Sequence, residues 1–224
     1  RRLLGRSTVW KGLSTKTRGW FYDAYAVLAT TSINSVYAAE APQWNQVSLG
    51  VVAGTLKESG INDIDLSGGA IEGSILLNKS VFLAGRFEAS SGDTTVNGSK
   101  LDADIYRTTV GIGYRYGVNE TTDIYAKGSA LSYKIDASYR TLEADDTSNG
   151  VSIGAGVRSM ITHNVELGAS ATYIKFNDDD LDDDTDKELS AFAAYHFDEK
   201  ISATIGYSKM DDVDFAELKG TYSF

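Results

Sequence analysis

Along residues 105–116, IYRTTVGIGYRY, apolar and polar positions alternate without a break. Tyr106, Thr108, Val110, Ile112, Tyr114 and Tyr116 share one phase, and Ile105, Arg107, Thr109, Gly111, Gly113 and Arg115 the other. A period of two belongs to an extended strand whose side chains point to opposite faces. The same rhythm predicts ten strands: 46–56, 64–77, 80–90, 104–117, 122–135, 150–161, 164–176, 188–197, 200–208 and 213–224. Their connectors alternate in length. Asn78-Lys79, Val118 to Thr121, Thr162 to Asn164 and Asp198-Glu199 are short. KESGIND, SSGDTTVNGSKLD, DASYRTLEADDTSNG and NDDDLDDDTDK are long, with a shorter one around KMDDV.

One phase of each strand is apolar: Val47, Leu49, Val51; Ile71, Ile75, Leu77; Val81, Leu83, Phe87; Val151, Ile153, Val157; Val165, Leu167, Tyr173; Leu189, Ala191, Tyr195; Ile201, Ile205, Tyr207. The opposite phase is Gly, Ser and Thr with isolated charges. These are Glu72, Arg86, Glu88, Arg107, Arg115, Lys127, Arg158, Glu166, Glu188, Glu217 and Lys219. A solvent face would tolerate long flexible side chains throughout, whereas a narrow lumen holds mostly small ones. A lipocalin-like soluble barrel is the competing reading, but its cavity would want shaped aromatics on the apolar face. The pattern therefore predicts an all-β, closed antiparallel up-and-down barrel of ten strands, with eight as the alternative. Its apolar face meets lipid and its charges point inward. Closure leaves no unpaired sheet edge for lipid to meet. Tyr106, Tyr116, Tyr195, Tyr207 and Tyr222 fall near strand ends, where an interfacial girdle belongs. Short turns then lie on the periplasmic rim and long loops on the outer one, and an even strand count puts both barrel ends at the periplasmic rim.

Composition agrees with this picture. The 224 residues contain no cysteine, which excludes disulfides and thiolate metal sites. No run of eighteen apolar residues occurs, so no helix is expected to cross a bilayer. A net charge of −10 argues against a nucleic-acid partner. The first 38 residues run the other way, with six bases and one acid, leaving 15 bases against 30 acids in 39–224. This basic stretch, the apolar AYAVLATT and small residues ending at Val36-Tyr37-Ala38 suggest a signal-peptide-like segment over 1–38. The domain boundary is accordingly set at 39, with the barrel over 39–224.

The chain ends ELKGTYSF, with Leu218, Gly220, Tyr222 and Phe224 in one phase. This terminal aromatic on an amphipathic last strand resembles the assembly signal of outer-membrane β-barrel proteins. DIYAKGSA, 123–130, is similar to the fifth strand of the OmpA-like transmembrane domain, and 46–224 as a whole resembles the porin-like small outer-membrane barrels. The OmpA and OmpX barrels have eight strands, two fewer than counted here. The resemblance implies residence in the outer membrane beside lipid and lipopolysaccharide, and insertion by the barrel-assembly machinery. It makes Tyr222 and Phe224 candidates for the assembly signal. A monomer without a cofactor is expected.

Catalytic chemistry is not suggested. His163 in the turn THN and His196 at the end of the eighth strand both fall at the periplasmic rim, whereas the ten-stranded omptin proteases carry their acid and histidine groups at the outer rim. No Ser-His pairing suggests a lipid deacylase. NDDDLDDDTDKE carries Asp178, Asp180, Asp182 and Asp184 in a run that could associate weakly with Ca²⁺ or Mg²⁺. It lacks the turn glycine and closing glutamate of an EF-hand, and a like-charge run is usually a solvated loop, so no firm metal site is expected. SGGAIEG leads into a strand, not the helix a phosphate loop needs. The inward charges, five glutamates and six bases, are expected to pair across neighbouring strands, with Arg86, Arg107, Arg115 and Arg158 each meeting a glutamate. Three functions follow in order: a charge-filled, non-enzymatic envelope or surface-contact barrel; a small passive pore for ions or polar solutes; an outer-membrane hydrolase.

Overall fold

The computed structural model describes residues 41–57, 63–96, 99–139, 142–177, 185–210 and 213–224. The 1–38 segment and the acidic run with Asp178, Asp180, Asp182 and Asp184 lie outside them. Ten antiparallel strands follow in chain order. They are β1 Gln46–Leu56, β2 Ile64–Leu76, β3 Val81–Val96, β4 Ser99–Gly117, β5 Thr122–Tyr139, β6 Leu142–Met160, β7 Val165–Phe176, β8 Thr185–His196, β9 Ile201–Met210 and β10 Val213–Ser223. Each pairs with its sequence neighbours, and β1 closes on β10 from Gln46↔Ser223 to Leu56↔Val213. The result is the up-and-down closed barrel that the alternation predicts.

Local hydrogen bonds define the short-turn rim. The side chain of the residue opening each turn accepts from backbone amides two or three positions on. Asn78 takes Ser80 and Val81, Asn119 takes Thr121, Thr162 takes Asn164 and Val165, and Asp198 takes Lys200 and Ile201, all between 2.7 and 3.3 Å. Asn, Asp and Thr are suited to this because a short polar side chain reaches its own backbone. At Asp198 the two amides, Lys200 first, hold the carboxyl below its ordinary value of 3.8.

The phase question opened by 105–116 has a clear answer. Val110, Ile112, Tyr114 and Tyr116 are 54–63 % exposed, while Arg107 and Arg115 turn inward. Leu49, Val51, Ile71, Ile153, Leu189, Ile201 and Leu218 are similarly exposed and form the lipid belt. Tyr195 and Phe197 pack edge-on at 5.3 Å on its periplasmic margin.

Towards the extracellular end the alternation continues but its polarity inverts. On β4 the inward Arg107 and Thr109 give way to Ile105, Ala103 and Leu101, and the outward Val110 gives way to Asp104 and Asp102. On β5 the inward Lys127 and Ser129 are followed by Leu131, Tyr133 and Ile135, with Lys134 and Asp136 outside. On β10 the inward Lys219 and Glu217 are likewise followed by Phe215 and Val213, with Asp214 outside. Below the inversion the outside is hydrocarbon. Above it the outside is water, and a sheet there buries its apolar side as a soluble protein does.

This inversion corrects the expected loops. SSGDTTVNGSKLD and DASYRTLEADDTSNG are largely strand, because β3–β4 pairing continues to Val96↔Ser99 and β5–β6 pairing to Tyr139↔Leu142. Their polar outward residues read as loop composition. Beside them the inverted strand ends pack into a cluster of Ile64, Leu66, Ile105, Val213 and Phe215, flanked by Leu56, Leu101, Tyr133 and Ile135. Leu131, Ile174 and Met210 form a second cluster, with Tyr133 bordering both.

Candidate functional site

The inward charges converge on the mid-lumen. Glu72 faces Arg86 across β2–β3, and Glu88 faces Arg107 across β3–β4. The Arg86 guanidinium sits at the centre. Its Nη1 lies 2.8 Å from both Glu72 Oε2 and Glu217 Oε2, and its Nη2 2.6 Å from Glu88 Oε2. Lys219 Nζ approaches the remaining oxygens, 2.6 Å from Glu72 Oε1 and 2.7 Å from Glu217 Oε1. Arg107 pairs across the lumen with Glu188 of β8 and not with a neighbouring strand as expected, because Glu88, opposite it on β3, is taken by Arg86. Lys127 lines the same cavity of about 290 Å³ and is joined to no described residue by a hydrogen bond or ion pair. Glu88 is 3 % exposed, and a charge so placed is tolerable only with its partners present.

A second charged layer lies nearer the periplasmic rim. Arg158 Nε donates to Glu166 Oε1 at 2.6 Å and Nη2 to Oε2 at 3.2 Å, a forked pair. His196 Nε2 lies 3.2 Å from the same Glu166 Oε2. Arg115 departs from expectation: it meets no glutamate, and its Nη1 binds Asp123 Oδ2 at 2.9 Å. The reason is position. Arg115 lies near the periplasmic end of β4, opposite the start of β5, where Asp123 is the inward acid. Among the described residues, the two layers together hold Glu72, Glu88, Asp123, Glu166, Glu188 and Glu217 against Arg86, Arg107, Arg115, Lys127, Arg158 and Lys219, with His196 in addition.

An aromatic group closes this end. Trp44, in the lead-in to β1 and 4 % exposed, donates its indole N–H to Asp123 Oδ2 at 2.7 Å. Its ring lies 4.5 Å from Phe82 and 5.4 Å from Tyr125, with the Arg158 guanidinium over it at 4.8 Å and Arg115 at 5.8 Å. Glycines on neighbouring strands make the room. A Cβ at Gly113 would sit 2.2 Å from the Phe82 ring, and one at Gly156 2.6 Å from Tyr125. Trp44 and Asp123 escaped the sequence reading, and His196 was read there only as a rim histidine. Asp123 and His196 share the inward phases of Lys127 and Glu188, so phase could have found them; no periodicity covers Trp44.

The other candidates are scattered. His163 is exposed and shares with His196 the border of a groove of about 520 Å³ on the periplasmic rim. Among the described residues, no group of three or more His, Asp or Glu could hold a metal ion. Tyr222 and Phe224 stand outward, 47 % and 61 % exposed, and the Phe224 amide donates to Asn45 O at 3.0 Å.

Comparison with known proteins agrees with the barrel. The transport unit of the autotransporter AIDA-I from Escherichia coli superposes with a TM-score of 0.51 at 11 % identity, covering 88 % of this chain and 94 % of that one. The attachment invasion locus protein Ail of Yersinia pestis gives 0.42 at 17 % identity, covering 81 % and 99 %. The N-terminal β-barrel domain of Pseudomonas aeruginosa OprF gives 0.38 at 16 %, covering 82 % and 100 %. No curated protein matches the chain. The family described as "Outer membrane protein beta-barrel domain" matches residues 26–197. With an inward charge network, an outward apolar belt and this match, the chain belongs to the outer-membrane β-barrel family and resides in the outer membrane.

Proposed function

We propose that this barrel is non-enzymatic and non-conducting, and that it serves the envelope as a structural or surface-contact protein through its extracellular face. The observation that carries this reading is closure in series. The mid-lumen layer of Arg86, Arg107, Glu72, Glu88, Glu188 and Glu217 lies between the Trp44–Phe82–Tyr125 group, which packs against the second charged layer at the periplasmic end, and the Ile64–Leu66–Ile105–Phe215 cluster at the extracellular end. A hydrated ion crossing the barrel would have to displace both apolar groups and break paired charges between them, each step costing several kcal/mol. The cavity of about 290 Å³ between them supports a second reading, a small passive pore for polar solutes. A hydrolase has the least support, because His196 binds Glu166 inside the periplasmic half, away from the outer rim.

Recording the refolded full barrel in a planar bilayer tests this. A baseline without steady openings is the expected result. A large, steady conductance would transfer the assignment to the pore.

A further inference from the structure

The lumen has two unlike walls. On β2, β3 and β10 the surplus of acid is engaged, because Glu72, Glu88 and Glu217 share Arg86 and Lys219. On β5 stands a surplus base, Lys127, which no described residue joins by a hydrogen bond or ion pair. The acid on its cross-strand row, Glu188 of β8, is held by Arg107. Both immediate neighbours of Lys127 in the ladder are glycines, Gly113 on β4 and Gly154 on β6. No side chain beside it can therefore take up its charge.

Hydroxyls line the same stretch of the cavity. Ser129, two residues on from Lys127 and on the same face, is 9 % exposed, and its Oγ is buried with no hydrogen-bond partner among the described residues. Ser152 stands opposite Ser129 on β6, and Thr172 opposite Gly154 on β7. Thr172 leans over that glycine, since a Cβ at Gly154 would sit 2.7 Å from its Oγ1. Neither of these two hydroxyls is bonded to a described side chain. Elsewhere in the lumen hydroxyls satisfy one another, Ser48 with Thr221 at 2.8 Å and Ser170 with Ser190 at 2.7 Å. An ammonium and a buried hydroxyl without partners each carry a desolvation cost that a bound acceptor relieves.

We propose that Lys127, Ser129, Ser152 and Thr172 form a binding site for a small monocarboxylate inside the lumen cavity of about 290 Å³. Among the described charges lining that cavity, Lys127 alone lacks an ion pair, which sets the ligand's charge at −1. Glu188 and the three glutamates of the facing wall oppose a second negative charge. Lys127 and Thr172 stand two strands apart, roughly 10 Å between backbones, so the donors do not converge on one point. A carboxylate offers two acceptor oxygens and spans such donors better than a spherical halide. The proposal goes beyond the closed-lumen reading and does not rest on it: a conducting barrel would exchange the anion faster at the same four residues.

Magic-angle-spinning NMR provides the test, on the full barrel labelled with ¹⁵N-lysine and refolded in zwitterionic lipid vesicles. Acetate labelled with ¹³C at its carboxyl is titrated in at constant ionic strength. A through-space contact between carboxyl and ammonium should appear at one lysine and vanish in K127Q. S129A/S152A should raise the half-saturating acetate concentration about tenfold, the loss of two hydroxyl donors. K100Q, which changes an exposed lysine bound to Asp102, should leave it unchanged. A contact that survives in K127Q, no contact at any lysine, or unchanged half-saturation in S129A/S152A would each overturn the proposal. So would full displacement of acetate by equimolar chloride, which would assign the site to a halide. S129A/S152A keeps every charge and keeps the test decisive if K127Q does not refold.

Discussion

Arg158 on β6 grips Glu166 on β7 through both Nε and Nη2, at 2.6 and 3.2 Å, and both side chains are at most 10 % exposed. Removing the arginine alone leaves a buried carboxylate with His196 as its remaining partner. R158A should therefore lose about 3–5 kcal/mol at pH 8, the usual cost of orphaning one member of a buried pair. R158M/E166L, which removes both charges, should cost less than R158A alone. Urea midpoints of the vesicle-inserted barrel provide the measurement, and additive losses in the double variant would mean that the pair is uncoupled.

Deleting Phe224 should lower the yield of membrane-inserted, heat-modifiable barrel in cells. Phe224 stands on the lipid face, and its amide ties the chain end to Asn45 beside the start of β1. One interfacial aromatic contributes only about 1.5–3 kcal/mol of burial, so a large drop in yield would be an assembly defect and not a stability defect. Unchanged levels of inserted protein would remove Phe224 from the assembly signal.

Strand number, closure and phase were legible in the chain because lipid outside and a narrow lumen inside impose opposite demands on alternate residues. What alternation could not reveal is the medium on each side. Asp102 and Asp136 read as loop because an outward polar residue is forbidden in the hydrocarbon belt; above the belt it is what a strand requires. The inward run Leu101, Ala103, Ile105 was the available signal, since it keeps the period while reversing the sign. Arg115 was placed on the correct face, but its partner depends on height along the barrel, which only the register specifies. Trp44 lies in the lead-in before β1, where the strand periodicity has no grip.

Surface accessibility follows from the two rims. Epitope tags inserted at 97–98 and at Asp183 should be reachable on intact cells, whereas tags at Asn78 or Asn119 should not. Asp146 is a poorer site than its composition suggests, because it pairs with Ile135 within the β5–β6 ladder and an insertion there would shift the register. A tag inserted between Tyr139 and Leu142, where the β5–β6 ladder ends, should be reachable instead. Labelling at Asn78 or Asn119 on unbroken cells would invert the orientation.

The turn at Asp198 should respond to acid. Its folded carboxyl is held below the ordinary 3.8 by the Lys200 and Ile201 amides. Its contribution is thus complete above the unfolded value and fades as pH falls through the folded one. The amide resonances of Lys200 and Ile201 should titrate together with a midpoint below 3.8, and D198N should abolish that titration. A midpoint at or above 3.8 would mean that these hydrogen bonds do not hold the charged form.

Closure in series makes an asymmetric prediction about opening the lumen. Two seals in line block a path unless both are breached. W44A removes the periplasmic ring and its hydrogen bond to Asp123, but Ile64, Leu66, Ile105 and Phe215 still close the other end. F215S loosens the extracellular cluster but leaves Trp44 against Phe82 and Tyr125. Neither single variant should conduct steadily, although each should lose stability on the scale of about 3–5 kcal/mol that truncating a buried aromatic costs. W44A/F215S exposes the cavity of about 290 Å³ to water on both sides, and discrete openings should appear in planar-bilayer recordings. Adding R86Q to that background frees Glu72, Glu88 and Glu217 from their shared cation and should shift the openings towards cation selectivity. Steady conductance in W44A alone would mean that the extracellular cluster is no seal. A silent double variant would place the barrier in the charged layer itself.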